Sequence, residues 1–130
     1  MSQSPPDAMN NTVREYLIDK ARAGRPISYQ ELANACGLGL DMGLPHHRNE
    51  IAGILGKIGA YEHRADRPVL SAVAVFTNTL EQGKGFYALC QELGISEARK
   101  LERDLFGTQQ ITACFEFWKN PQHYSQYKLI

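Results

Sequence analysis

The sequence predicts a mostly helical α+β domain, a helix-turn-helix with a small sheet and packed C-terminal helices. Three observations carry this. Apolar residues recur at helical spacing between Gly and Pro punctuation, "RPVLSAVAVF" (67–76) is the one strand-like run, and no internal repeat or linker divides the chain. At 130 residues, 43% hydrophobic and 22% charged, one hydrophobic core is expected. The division read from composition is a loose Ser/Pro-rich tail at 1–8, a single domain at 9–121 and a second tail at 122–130.

The first helix is expected over 11–22, with Thr12 and Glu15 at capping-box spacing, Val13, Tyr16, Leu17 and Ala21 on one face, and Gly24 as its stop. In "GRPISYQELANACGL" (24–38), Pro26 extends the chain, Ser28 caps a helix and Glu31 completes the box. Ile27 and Leu32 fall at the two hydrophobic-staple positions, and Gly37 ends the helix after barely two turns. The Gly-rich connection "GLGLDMGLP" lacks the Gly-Lys-Ser/Thr ending of a phosphate-binding loop. A third helix is expected over 48–62, its inner face made by Ile51, Ile54, Leu55 and Ile58. Its other face and its ends collect His46, His47, Arg48, Asn49, Lys57, His63, Arg64 and Arg67.

The run 67–76 then reads as a strand covered on both sides. The polar loop 77–85 has room for a short returning strand around Leu80. Further helices are expected over 86–93, over 96–106 with Gly107 as stop, and from Thr108 to Pro121, the last burying Ile111, Cys114, Phe115 and Trp118. Helix, extended turn, short helix, longer helix, strand, loop and strand is the order of a winged helix.

Part of this chain resembles a known family. "ISYQELANACGL", "RNEIAGILGKI" and "RPVLSAVAVF" are similar to the winged-helix domain of the O6-alkylguanine alkyltransferases and alkyltransferase-like proteins. There a Thr-Tyr-Gly-x-Ile-Ala segment precedes a recognition helix and a Pro-Cys-His-Arg strand. The likeness covers about 26–76. It implies a DNA-binding frame, with the family's arginine near the start of the recognition helix falling at about Arg48 or Asn49. At the place of the reactive cysteine this sequence reads Pro68-Val69-Leu70-Ser71, so alkyl transfer has no nucleophile. The longer segment 67–94, with "FEFW" further on, also resembles a group of small bacterial proteins sharing an Arg-Pro-x-Leu-Ser-Ala strand and a Gly-x-Gly-Phe turn into a helix. That resemblance implies a stand-alone bacterial domain and carries no activity with it.

Fourteen basic residues balance fourteen acidic ones, so the net charge is zero and any nucleic-acid surface must be a local basic face. No stretch is long and apolar enough for a membrane span and no signal peptide is evident, so the expected compartment is the cytoplasm. Cys36, Cys90 and Cys114 lie on apolar helix faces at wide spacing and read as small buried hydrophobes. No metal site and no cofactor is expected.

The first functional expectation is a non-catalytic nucleic-acid-binding protein for duplex DNA. It would use the third helix and the 82–85 loop as a wing. Arg48, Lys57 and Arg64 would contact phosphates, Asn49 would reach a base edge and Lys84, between two glycines, would anchor the wing. So few cations imply weak binding, strengthened by a homodimer or a partner. The second expectation is a protein-interaction module or adaptor on the same frame, favoured by zero net charge and the aromatic end "FEFWKNPQHYSQYKLI". The third is a small enzyme in which Glu62, His63, Arg67 and Ser71 supply a base, an acid and an anion clamp. Neighbouring helical residues point about 100° apart, which separates Glu62 from His63.

Overall fold

The computed structural model describes residues 9–129; the segment 1–8, expected as a loose tail, lies outside them. Among the described residues are seven α-helices, one 3-10 turn and two short strands that form a two-stranded parallel sheet. No helix among them is long and apolar enough to cross a membrane.

Helix α1 (Asn11–Ala23) is capped by Asn10, whose side chain accepts from the Val13 amide at 3.0 Å, instead of by the expected Thr12. Val13, Leu17, Ile18 and Ala21 are fully buried along its inner stripe. Gly24, at φ 69°, ends it in the left-handed conformation that only glycine adopts cheaply. Strand β1 (Ile27–Ser28) leads directly into α2 (Tyr29–Ala35), where the Ser28 hydroxyl accepts from the Glu31 amide at 3.1 Å. Ile27 and Leu32 are both buried, as the staple positions require.

The linker 36–44 is longer than the turn of about 3–4 residues in a simple helix-turn-helix. It is pinned rather than loose. Gln30 donates to the Leu40 carbonyl at 2.9 Å and accepts from the Met42 amide at 2.9 Å, while Arg48 donates to the Met42 carbonyl at 2.8 Å. Helix α3 (Pro45–Arg64) starts ahead of the expected Arg48 because Pro45 suits a first helical position, where no amide donor is needed. Ile51, Leu55 and Ile58 face the core.

The run 67–76 is buried from Val69 to Val75 but is mostly not a strand. Leu70–Val73 form a 3-10 turn and only β2 (Ala74–Val75) pairs, parallel to β1, with Ile27 opposite Ala74 and Ser28 opposite Val75. The cause lies in the partner. β1 is hemmed in by Pro26 on one side and by the α2 cap on the other, so two residues are all it offers. The remaining backbone groups of the run find side chains instead. The Val69 amide donates to Gln110 Oε1 at 2.7 Å, Cys114 Sγ donates to the Val69 carbonyl at 3.4 Å, and Gln82 Nε2 donates to the Ala72 carbonyl at 2.8 Å. No returning strand occurs around Leu80 among the described residues. The loop closes on itself, with the Phe76 amide donating to the Glu81 carbonyl and the Leu80 amide to the Phe76 carbonyl, both at 2.8 Å.

Helix α4 (Lys84–Glu92) follows, then α5 (Ala98–Arg103), shorter than expected because Leu105 turns the chain at φ 58°. Gly107, expected to stop that helix, sits in the first turn of α6 (Phe106–Lys119), where an added Cβ would lie 2.7 Å from the Tyr87 hydroxyl. Cys114 and Trp118 of α6 are fully buried against α1 and the 3-10 turn. The segment 122–130, expected as a tail, carries most of α7 (Pro121–Tyr127), capped by Asn120 through a 2.9 Å bond from the Gln122 amide.

Candidate binding cleft

Three of the five residues expected to bind nucleic acid meet at one cleft of about 740 Å³, between the first half of α3, the end of β2 and the start of α4. Arg48 and Asn49 line it from α3, and Lys84 lines it from α4. Successive turns of α3 build the wall, with Ala52, Leu55 and Gly56 following Arg48 on the same face. Lys57 and Arg64 are not there. At about 100° per residue, the nine positions from Arg48 to Lys57 amount to half a turn, and Arg64 returns to the Lys57 side. Both are solvent-exposed on the opposite face.

The start of α4 shapes the opposite wall. Gly83 caps the helix with extended backbone and no side chain, and its amide donates to the Tyr29 hydroxyl at 2.9 Å. The Phe86 amide returns to the Gly83 carbonyl at 3.1 Å. The Lys84 and Gly85 amides, first in the helix, have no intrahelical acceptor and carry the positive end of its dipole. Tyr29 holds its phenol pKa above the ordinary value because it is buried, so it stays a neutral partner for Gly83. Its ring meets Phe76 edge-on with centroids 5.3 Å apart, and Phe76 is left 47% exposed at the mouth.

The interior is apolar, lined by Leu55, Val75, Phe86 and Leu89, with one exception. Ser71 lines the cleft from the 3-10 turn, 5% exposed, and its hydroxyl has no hydrogen-bond partner among the described residues. Arg48 and Lys84 are the charged side chains of the lining; no Asp or Glu among the described residues lines it. The wing residue Gln82 is a correction to the sequence reading: it is 6% exposed and bridges Ala72 and Gly107, so it braces the loop from inside.

The remaining charged constellation is elsewhere. Glu62, fully buried at the end of α3, accepts from Arg14 Nε at 3.0 Å and from Arg67 Nε at 2.9 Å. Asp66, at φ 63°, turns the chain so that the Arg67 amide closes on the Glu62 carbonyl at 2.9 Å, which brings Arg67 back over its own helix end. Arg14 also donates to the Lys128 and Tyr127 carbonyls at 2.6 and 2.8 Å, tying the C-terminal segment to α1. Glu62 and Arg67 therefore bond each other, while Ser71 belongs to the cleft lining. The clue missed in the sequence is Arg14, which shares the i, i+3, i+4, i+7 stripe of Leu17, Ile18 and Ala21.

The cysteines carry no activated thiol. Burial pushes the Cys90 thiol up to about 11 and raises Cys114 further, and Cys36 is also raised by burial. His46 and His47 pack edge-on at 4.4 Å, and His47 Nδ1 accepts from the Asp41 amide at 2.8 Å, which spends one ring nitrogen on the linker. No group of three or more His, Cys, Asp or Glu placed to hold a metal occurs among the described residues. Trp118 is core and Phe115 packs against it, while Tyr124 and Tyr127 lie under the guanidinium groups of Arg22 and Arg67 at 3.9 and 5.1 Å. Comparisons with protein-family models, with curated proteins and with solved structures give no match to this chain.

Proposed function

We propose that the protein binds nucleic acid without transforming it, duplex DNA foremost, across the mouth of this cleft. The observation that carries the reading is the convergence of Arg48, Asn49 and Lys84 with the open amides of α4 on one cleft that holds no carboxylate. Phosphates bind such a helix start and its neighbouring cations, and the exposed Phe76 ring offers a stacking face. A winged-helix frame is part of this reading, in which the loop 77–83 would take the place of a wing along the backbone. Lys57 and Arg64, on the far side of α3, drop out of the contact set.

Two side-chain cations imply a shallow salt dependence, about tenfold weaker binding between 50 and 200 mM salt. The test is fluorescence anisotropy of labelled duplex and single-stranded DNA at both salt concentrations. Arg48→Ala/Lys84→Ala is expected to abolish the salt-sensitive binding and Lys57→Ala/Arg64→Ala to leave it largely intact. Absence of binding at about 50 μM protein, roughly 6 kcal/mol of affinity, would overturn the reading. A protein-interaction role on the same frame has one observation in its favour: Phe76 and Leu80, whose backbones bond each other, stand 47% and 62% exposed.

A further inference from the structure

We infer that the cleft seats a phosphate monoester attached to a flat, mostly apolar body, with the phosphate at the start of α4 and the body against Phe76 and the inner wall. This deepens the nucleic-acid reading and rests on it for the identity of the body. Two sources share the chemistry, the phosphorylated 5′ end of a strand and a free nucleoside monophosphate.

Two independent features point to it. The first is electrostatic. Lys84 and Gly85 present unclaimed amides at the start of a nine-residue helix that has no side-chain cap, Lys84 adds its ammonium, and Arg48 lines the same cleft from α3. Arg48 spends one nitrogen on the Met42 carbonyl, which fixes the guanidinium and leaves its other donors unclaimed. Charge from both walls with no opposing carboxylate suits a dianionic monoester better than the single charge of a phosphodiester. The second is Ser71, which lines the cleft among apolar neighbours and whose hydroxyl, buried beside the α3 backbone at Gly59, has no partner among the described residues. Buried polar atoms without a partner are few in a folded protein; of the two among the described residues, Trp118 Nε1 lies in the core and Ser71 belongs to the cleft lining, where a ligand with a polar edge would satisfy it.

The dimensions agree. About 740 Å³ falls within the range of small-molecule sites, roughly 300–1,000 Å³, and exceeds what a bare phosphate needs. The phosphate seat and the aromatic mouth adjoin. A Cβ added at Gly83 would lie 3.4 Å from the Phe76 ring and 3.4 Å from the Tyr29 hydroxyl. Glycine at 83 and 85 keeps the amides uncovered on that side.

The test titrates the full chain by calorimetry with adenosine and thymidine 5′-monophosphates, their nucleosides and inorganic phosphate, beside anisotropy of oligonucleotides bearing a 5′-phosphate or a 5′-hydroxyl. The monophosphates are expected to bind at least about tenfold more tightly than nucleoside or phosphate alone, and the 5′-phosphate to improve strand binding by a similar factor. Lys84→Ala should lose the phosphate preference. Ser71→Ala, which removes an unpartnered hydroxyl and leaves the fold intact, should weaken the monophosphates several-fold without changing inorganic phosphate. Equal binding of both strand ends, with no monophosphate binding at about 10 mM, would overturn the inference while leaving the nucleic-acid reading standing. Monophosphate binding without any DNA binding would uphold the seat with free nucleotides as its source and overturn the nucleic-acid reading. An unchanged monophosphate affinity in Ser71→Ala would remove the floor contact and overturn the assignment of the body to the inner wall.

Discussion

The protein holds two concentrations of charge, and they are built in opposite ways. Around Glu62 each charge is answered: the carboxylate takes Arg14 and Arg67, and Arg14 spends its remaining nitrogens on two backbone carbonyls. Around the cleft the reverse holds. Among the described residues Arg48 and Lys84 meet no carboxylate, the first amides of α4 have no acceptor, and the Ser71 hydroxyl has no partner. The sequence offered the first region as a catalytic constellation and the second as a recognition helix and wing. What separates them is unspent hydrogen-bonding capacity, which marks a place for a ligand better than the residue types do.

The sharpest way to break the comparison is at the saturated end. Glu62→Gln leaves two buried guanidinium groups without a counter-charge and should cost about 3–5 kcal/mol, read as a lowered urea midpoint. A loss under about 1 kcal/mol would mean that the cluster is not closed.

Packing gives the next effect, along a single helix. A Cβ at Gly59 would meet Leu89 Cδ2 and Ser71 Oγ at 2.8 Å, so Gly59→Ala should destabilise by about 1–3 kcal/mol. At Gly53 nothing lies within 4 Å, and Gly53→Ala should stabilise by about 0.5–1 kcal/mol through helix propensity alone. Opposite signs in thermal unfolding would confirm that α3 is clamped on its Gly59 side and open to solvent at Gly53.

The smallest stability effect belongs to the cleft itself. Lys84→Ala should change unfolding free energy by no more than about 0.5 kcal/mol, and Arg48→Ala, which gives up the bond to the Met42 carbonyl, by no more than about 1 kcal/mol, while both weaken DNA binding. A large destabilisation would make them structural and dissolve the contrast.

Local rules were legible in the sequence wherever one residue decides. Ser28 caps α2, Ile27 and Leu32 lie buried on either side of that cap, Ile51, Leu55 and Ile58 mark the inner face of α3, and Cys114 and Trp118 mark that of α6. What escaped was decided at a distance. The 3-10 turn at 70–73 exists because Gln82, Gln110 and Cys114, far along the chain, replace a sheet partner. Pro121 was legible as an end of α6, but it also serves as the first residue of α7, a double use that the Asn120 cap makes possible. At the cleft, Arg48, Asn49 and Lys84, singled out by type and position, line one space. Lys57 and Arg64 were included although helical phase already set them apart. Ser71 was noticed for the wrong partners, since only the fold turns it toward the cleft and Glu62 toward Arg14.

The most direct measurement is a ¹⁵N–¹H correlation spectrum of the protein titrated with 5′-phosphorylated duplex DNA. The account predicts that the amides of Lys84 and Gly85 shift first and saturably, with Arg48, Asn49 and Thr77 following, and that the Lys57 and Arg64 face stays still. Shifts confined to the Lys57 and Arg64 face or to α7, with Lys84 and Gly85 unmoved, would contradict it.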